Sequence, residues 1–372
     1  MDEFVRITEV SPRDGLQAET ARVATPEKAA LVRACAHSGV AEVEVSSFVR
    51  PDWVPQLGDA AEVFRAVARD KPAGVQYSAL VPNERGLDAL LEVNRSVESE
   101  FGVAGLIDKA AVFTAASETF SEKNTNASIE RTLERFAPVV ARCREAGLRT
   151  RGYVSCVIAC PFEGPILPGA VASVCARLLE LGVDEIDLGD TIGAGTPETV
   201  EAMLLEVIEA IGGEPTNRWG EPTVTLHLHD TFGRAASCVE RALELGVRSF
   251  DGSAAGLGGC PYATTDAMKA RGERAPGNIS TRTLVETVER SGFTTGLDHS
   301  KLAIAEATAT RVIQIARLGP RAEDAAKLGP DGKAEAAKLG PDAKAEAERL
   351  GPTRADIENL VDESEDPRRG GA

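Results

Sequence analysis

His227 and His229 are separated by one residue and followed at once by Asp230, inside the run Thr223-Val-Thr-Leu-His-Leu-His-Asp230. That alternation reads as a β-strand, where side chains at i and i+2 share a face about 6.6 Å apart, so both imidazoles can converge on one ion. Taken alone, such a pair is as readily two incidental polar residues at a strand end. Ser11-Pro-Arg-Asp-Gly-Leu-Gln17 adds an adjacent guanidinium and carboxylate. Arg13 can offer positive charge to a developing oxyanion and Asp14 an oxygen to a metal, or the two simply close a salt-bridged turn. Ser253-Ala-Ala-Gly-Leu-Gly-Gly-Cys-Pro-Tyr262 carries Cys260 in a glycine-rich loop. A thiol with an unperturbed pKa of about 8.5 suits proton donation better than nucleophilic attack, although an isolated loop cysteine more often has no role and such a loop can cradle a phosphate.

These residues need a scaffold, and short β-rich runs alternate with helical patterns from the first residues to about residue 300. The strands read as Phe4 to Val10, Glu42 to Ser47, Gln76 to Val81, Ala111 to Ala115, Arg151 to Ile158, Asp184 to Leu188, Thr223 to His229 and Ser249 to Ala254. Helical stretches between them include Pro26 to Ser38, Ser128 to Ala146, Pro168 to Leu181, Pro197 to Ile211 and Arg234 to Leu245, several opening on Pro and closing on Gly. Eight strand-helix units predict a (β/α)8 TIM barrel, although an open doubly wound sheet has the same local alternation. Arg13, Asp14, Glu44, Asp190, His227, His229 and Cys260 all fall at or just beyond C-terminal strand ends. Barrel enzymes place their chemistry on that face. A closed barrel also separates the first and seventh strands only by the eighth, so Asp14 can approach the ion of the two histidines. A mixed oxygen and imidazole set fits Mg²⁺, Mn²⁺ or Zn²⁺.

The 372 residues carry a net charge of −17, which disfavours nonspecific binding to nucleic acid or an anionic membrane. No run approaches a membrane span, the opening Met-Asp-Glu-Phe-Val-Arg-Ile is unlike a signal or transit segment, and a cytoplasmic protein is expected. The seven cysteines are scattered and odd in number, hence reduced thiols, with Cys156 and Cys160 assigned to packing. His37 and His299 have no partner motif and read as structural. Leu-Gly-Pro recurs from Leu318, Leu328, Leu339 and Leu350, with spacers rich in Ala, Lys, Glu and Asp. That composition provides little apolar surface to bury. The chain therefore divides into a catalytic barrel, 1–310, and a low-complexity tail, 311–372.

Read in order, Pro12-Arg-Asp-Gly-Leu-Gln17, Ser47-Phe-Val with Trp53-Val-Pro-Gln-Leu-Gly-Asp59, Arg151-Gly-Tyr-Val-Ser-Cys156, Leu188-Gly-Asp-Thr-Ile-Gly193, His227-x-His-Asp-Thr231 and Ala255-Gly-Leu-Gly-Gly-Cys-Pro-Tyr-Ala263 resemble the 3-hydroxy-3-methylglutaryl-CoA lyase family. The resemblance implies cleavage of that acyl-CoA into acetoacetate and acetyl-CoA, as in leucine degradation, with a divalent cation held by Asp14, His227, His229 and Asn278. It further implies that Arg13 stabilises the enolate, that Cys260 supplies the quenching proton, and that Glu44, Asp190 and His227 belong to the catalytic set. Two departures stand out: 264–275 is longer than the family's short link, and Arg282 stands where the family has glutamate. Lys269, Arg271 and Arg274 within that insertion are candidates for contact with CoA phosphates. A lyase for another 3-hydroxy-3-alkylglutaryl-CoA, a Claisen-type synthase using a 2-oxo acid and acetyl-CoA, and a scaffold on a decayed barrel are the alternatives. The expected partner is a small acyl-CoA, and a homodimer stays open.

Overall fold

A computed structural model of the chain describes residues 3–213, 215–259 and 275–318. Eight parallel strands close on themselves in the order β1 (Arg6–Glu9), β2 (Glu42–Ser47), β3 (Gln76–Leu80), β4 (Lys109–Ala115), β5 (Arg149–Ser155), β6 (Glu185–Asp190), β7 (Val224–Leu228) and β8 (Ser249–Gly252), with β8 back against β1. The closed (β/α)8 barrel, not the open sheet, is the architecture. Ten α-helices of the described residues follow the strands: α1 (Thr25–His37), α2 (Ala60–Val67), α3 (Glu84–Phe101), α4 (Glu118–Thr125), α5 (Ile129–Glu145), α6 (Pro168–Glu180), α7 (Pro197–Ala210), α8 (Ala235–Glu244), α9 (Thr281–Arg290) and α10 (His299–Leu318).

Each strand alternates because its two faces meet different surroundings. Val43, Val45, Ile186, Leu188, Leu226 and Phe250 are buried in the apolar core shared with the helices. The intervening residues are polar: Glu42 and Glu44, Arg151, Glu185 and Asp187, Thr225 and His227, Asp251, all buried. Barrel interiors are usually filled by branched aliphatic side chains; here the lower layers hold ions. Lys109 Nζ donates to Glu42 at 2.6 Å and Glu185 at 2.5 Å, and Arg6 donates to Glu42 at 3.1 Å. Burying such charges is tolerable only when each is paired. A hairpin closed by a bridge between Thr216 and Pro222 brings Glu221 to Arg149, 3.1 Å away.

Strands β4 and β5 begin two residues earlier than the pattern implied, because Lys109 and Arg149 enter as members of this ionic interior. At the other end α10 crosses the expected 310/311 boundary, with Val312 and Ile313 buried. From residue 319 the tail lies outside the described residues. Among the described residues no helix is long and apolar enough to cross a membrane. The six described cysteines are all buried and free, and Cys156 and Cys160 pack in an apolar cluster with Ala115 and Phe120.

Candidate metal centre and active site

The C-terminal mouth of the barrel is assembled by three chain segments. The first follows β1, where a π-helical turn, Ser11–Gly15, places Arg13 and Asp14 over the barrel; such turns put extra backbone into a tight space and recur at functional sites. Glu9 ties this turn down, accepting from Ser11 N at 2.9 Å, Ala254 N at 2.8 Å and Thr281 Oγ1 at 2.6 Å. The second segment is β7, which carries His227 and His229. The third is the stretch 276–280, which returns as backbone between the ends of β7 and β8: Ile279 N donates to the Leu228 carbonyl at 2.9 Å and Ser253 N to the Ile279 carbonyl at 3.1 Å. Asn278 is thereby bridged to His229 across the strand end.

The Nε2 atoms of His227 and His229 lie 3.4 Å apart, and Asp14 Oδ2 is 4.0 Å from His227 Nε2. All three ligand atoms fall within 4.8 Å of one another. Asn278 Nδ2 donates to Asp14 Oδ2 at 2.8 Å and to the Leu257 carbonyl at 2.9 Å, while its Oδ1 is buried without a hydrogen-bond partner. Glycine is required beside it. A Cβ on Gly258, whose φ is +107°, would meet Asn278 Nδ2 at 2.6 Å, and one on Gly277 would meet the Gly258 carbonyl at 2.0 Å. The four residues expected as ligands are thus brought together.

Electrostatics suit a cation. Burial opposes ionisation of Asp14, but Arg13 and the two histidines outweigh it and hold its pKa at about 2. Burial and the neighbouring His227 push His229 down to about 4, so its lone pair is free at neutral pH. Burial would also lower His227, yet the Asp251 hydrogen bond and Asp14 raise it. Two imidazoles, a carboxylate and a carboxamide are a borderline donor set that fits a divalent cation.

Arg13 closes the salt-bridged turn its motif allowed and also lines the cavity. Its NH1 donates to Asp14 Oδ1 at 2.9 Å and its Nε to Glu44 Oε2 at 2.6 Å, so it is salt-bridged and also fixed at the cavity wall. Burial disfavours its charge, but Glu44 and Asp14 more than compensate, and its pKa is raised. Glu44, raised by burial, also accepts from Tyr153 Oη at 3.0 Å. Its position follows a register shift between Glu44 and Ser46 in β2. Asp190 reaches the strand end but accepts from Ala194 N at 3.0 Å and Gly195 N at 2.7 Å. It anchors the β6 loop, and burial raises its pKa. Cys260, Lys269, Arg271 and Arg274 lie outside the described residues. Arg282 is paired with Glu306 on α10.

Above the ligand atoms is a cavity of about 580 Å³, lined by Arg13, Gln17, Trp53, Leu80, Phe113, Tyr153 and Gly259, among others. Two residues escaped the sequence reading as parts of the site: Tyr153, which lines the cavity, and Asp251, which meets His227. Both stand at inward positions of strands whose other face is apolar, and polar residues at period two in a barrel strand were the signal available.

An eight-stranded parallel barrel that gathers these groups and a cavity at its C-terminal mouth is the architecture of a barrel enzyme. Residues 4–308 match the HMGL-like family model. The chain is 42% identical over 298 residues to the mitochondrial hydroxymethylglutaryl-CoA lyase of Bos taurus, covering 80% of this chain and 82% of that one. The HMG-CoA lyase of Brucella melitensis superposes with a TM-score of 0.74 at 42% identity, over 84% of this chain and 100% of that one. An HMG-CoA lyase from A. baumannii, solved with coenzyme A and 3-methylmalate, gives 0.70 at 31% identity, over 83% of this chain and 91% of that one. This chain belongs to the HMGL-like family.

Proposed function

We propose that this protein is a divalent-metal-dependent carbon-carbon lyase that cleaves 3-hydroxy-3-methylglutaryl-CoA into acetoacetate and acetyl-CoA. The observation that carries the reading is the convergence of Asp14, His227, His229 and Asn278 beside Arg13, in a chain 42% identical to a lyase of that name.

Cleavage requires an alkoxide at C3, an enolate on the departing thioester and a proton to quench it. Asp14, His227, His229 and Asn278 would hold a divalent cation, Mg²⁺ or Mn²⁺, which when bound would supply Lewis acidity toward the substrate's oxygens. Arg13 is held from two sides by Glu44 and Asp14, so its charge is preorganised where thioester oxygen gains negative charge. Glu44 keeps that guanidinium in place and is itself held by Tyr153. Leu80, Phe113 and Tyr153 line the cavity with apolar surface, which excludes water from a carbanionic species. Protonation falls to Cys260, the residue that directly follows the cavity-lining Gly259. Purified protein incubated with 3-hydroxy-3-methylglutaryl-CoA and either Mg²⁺ or Mn²⁺ is expected to release acetoacetate. No product with either ion would overturn the reading.

A further inference from the structure

His227 takes part in two clusters, one on each ring nitrogen. Its Nε2 faces Asp14 and His229; its Nδ1 faces Asp251 and Asp187. Both clusters have the composition of a metal site, and the inner one is formed wholly from barrel strands. The inner one already contains a cation of the protein itself. Arg151 NH1 is 3.1 Å from Asp251 Oδ1 and 3.3 Å from Asp187 Oδ2, and NH2 is 2.7 Å from Glu185 Oε1 and 2.9 Å from Thr8 Oγ1. That guanidinium, 1% exposed, stands where a metal would have to sit.

We propose that Asp251 is the positioning residue of the metal centre: clamped by Arg151, it fixes His227 with the proton on Nδ1 and the Nε2 lone pair toward Asp14 and His229. The proposal deepens the metal-dependent reading and rests on it. Three observations carry it. Asp251 and His227 are register partners on adjacent strands, so backbone pairing sets their approach. The carboxylate is 2% exposed, and its two oxygens have separate tasks: Oδ1 accepts from Arg151 at 3.1 Å and Oδ2 meets His227 Nδ1 at 3.1 Å. A carboxylate facing a guanidinium has no proton to give, so the shared proton belongs to Nδ1. A histidine ligand commonly gains its orientation and basicity from such a partner. Arg151, which opens the Arg151-Gly-Tyr-Val-Ser-Cys156 motif, thereby acts on the centre at one remove.

Asp251→Asn separates this role from a merely structural one. The carboxamide oxygen stays with Arg151, which can only donate, and the amide nitrogen is left facing His227 Nδ1. The tautomer should then invert, placing the ring proton on Nε2, where it blocks the ion. With ¹⁵N-labelled histidine and only four histidines in the chain, the tautomer of the metal-free protein is readable by NMR in alkaline buffer. The wild type is expected to carry the His227 proton on Nδ1 and Asp251→Asn on Nε2. Mn²⁺ affinity, followed by electron paramagnetic resonance, should weaken about ten- to a hundredfold in the variant. Wild-type protein with the proton on Nε2 overturns the proposal even if the variant fails to fold. So does a folded variant that binds Mn²⁺ as the wild type does. A wild type with no affinity for Mn²⁺ fails differently, since it removes the metal reading itself.

Discussion

The two ends of this barrel use the same residue types for opposite purposes. On the floor, Lys109 is 1% exposed and lies between Glu42 and Glu185, while Arg6, Arg149 and Glu221 close the layer beneath. Charges there neutralise one another. At the mouth, three ligand atoms converge, and Asn278 Oδ1 is buried without a partner. The difference teaches that a polar interior is not itself a site. What distinguishes the mouth is a donor set aimed at a common point beside a cavity, whereas on the floor each charge faces one of opposite sign.

The comparison can be broken at several places. Lys109→Met removes the cation that donates to both Glu42 and Glu185, leaving Glu42 to Arg6 and Glu185 to Arg151. Breaking a buried ion pair costs at most about 3–5 kcal/mol, so urea unfolding should show a loss approaching that size with Mn²⁺ affinity retained in the folded fraction. Unchanged stability would mean the floor is not held by its ion pairs. At the mouth, Arg13→Ala should lower the rate of acetoacetate release about a hundred- to a thousandfold, or about 2.7–4 kcal/mol of transition-state stabilisation, with a smaller change in unfolding midpoint than Lys109→Met causes. A variant that unfolds readily yet turns over normally would place Arg13 with the floor.

The smallest effect is in acid. The cations Arg151 and Lys109 outweigh burial and hold Glu185 at about 2, below the roughly 4.3 of an unfolded glutamate. A depressed carboxylate pKa stabilises the fold fully above the unfolded value, and that contribution disappears as pH falls toward the folded one. The stability gap between wild type and Glu185→Gln should therefore narrow between about pH 4.3 and pH 2. A gap constant across that window would show that charge on Glu185 is not what stabilises the layer.

The sequence by itself determined the order of strands and helices, because alternating strands and glycine-terminated helices are local consequences of burial and backbone freedom. It also pointed to a candidate set at the mouth: Arg13, Asp14, His227 and His229 are legible because strand periodicity and strand ends fix which residues share a face. Asn278 was approachable only through resemblance, since Pro276-Gly-Asn278 has no periodicity to place it. Its backbone seat between β7 and β8 depends on contacts with Leu228 and Ser253. Only the tertiary structure decided which buried acids serve the mouth and which the floor. Asp187, Asp190 and Asp251 look alike along the chain, each at or near a strand end. Their roles diverge because one faces the Arg151 clamp, one accepts backbone N–H groups from its own loop, and one meets a histidine ring. Those partners come from distant strands and loops, and ring closure of the barrel is what brings them within hydrogen-bond reach.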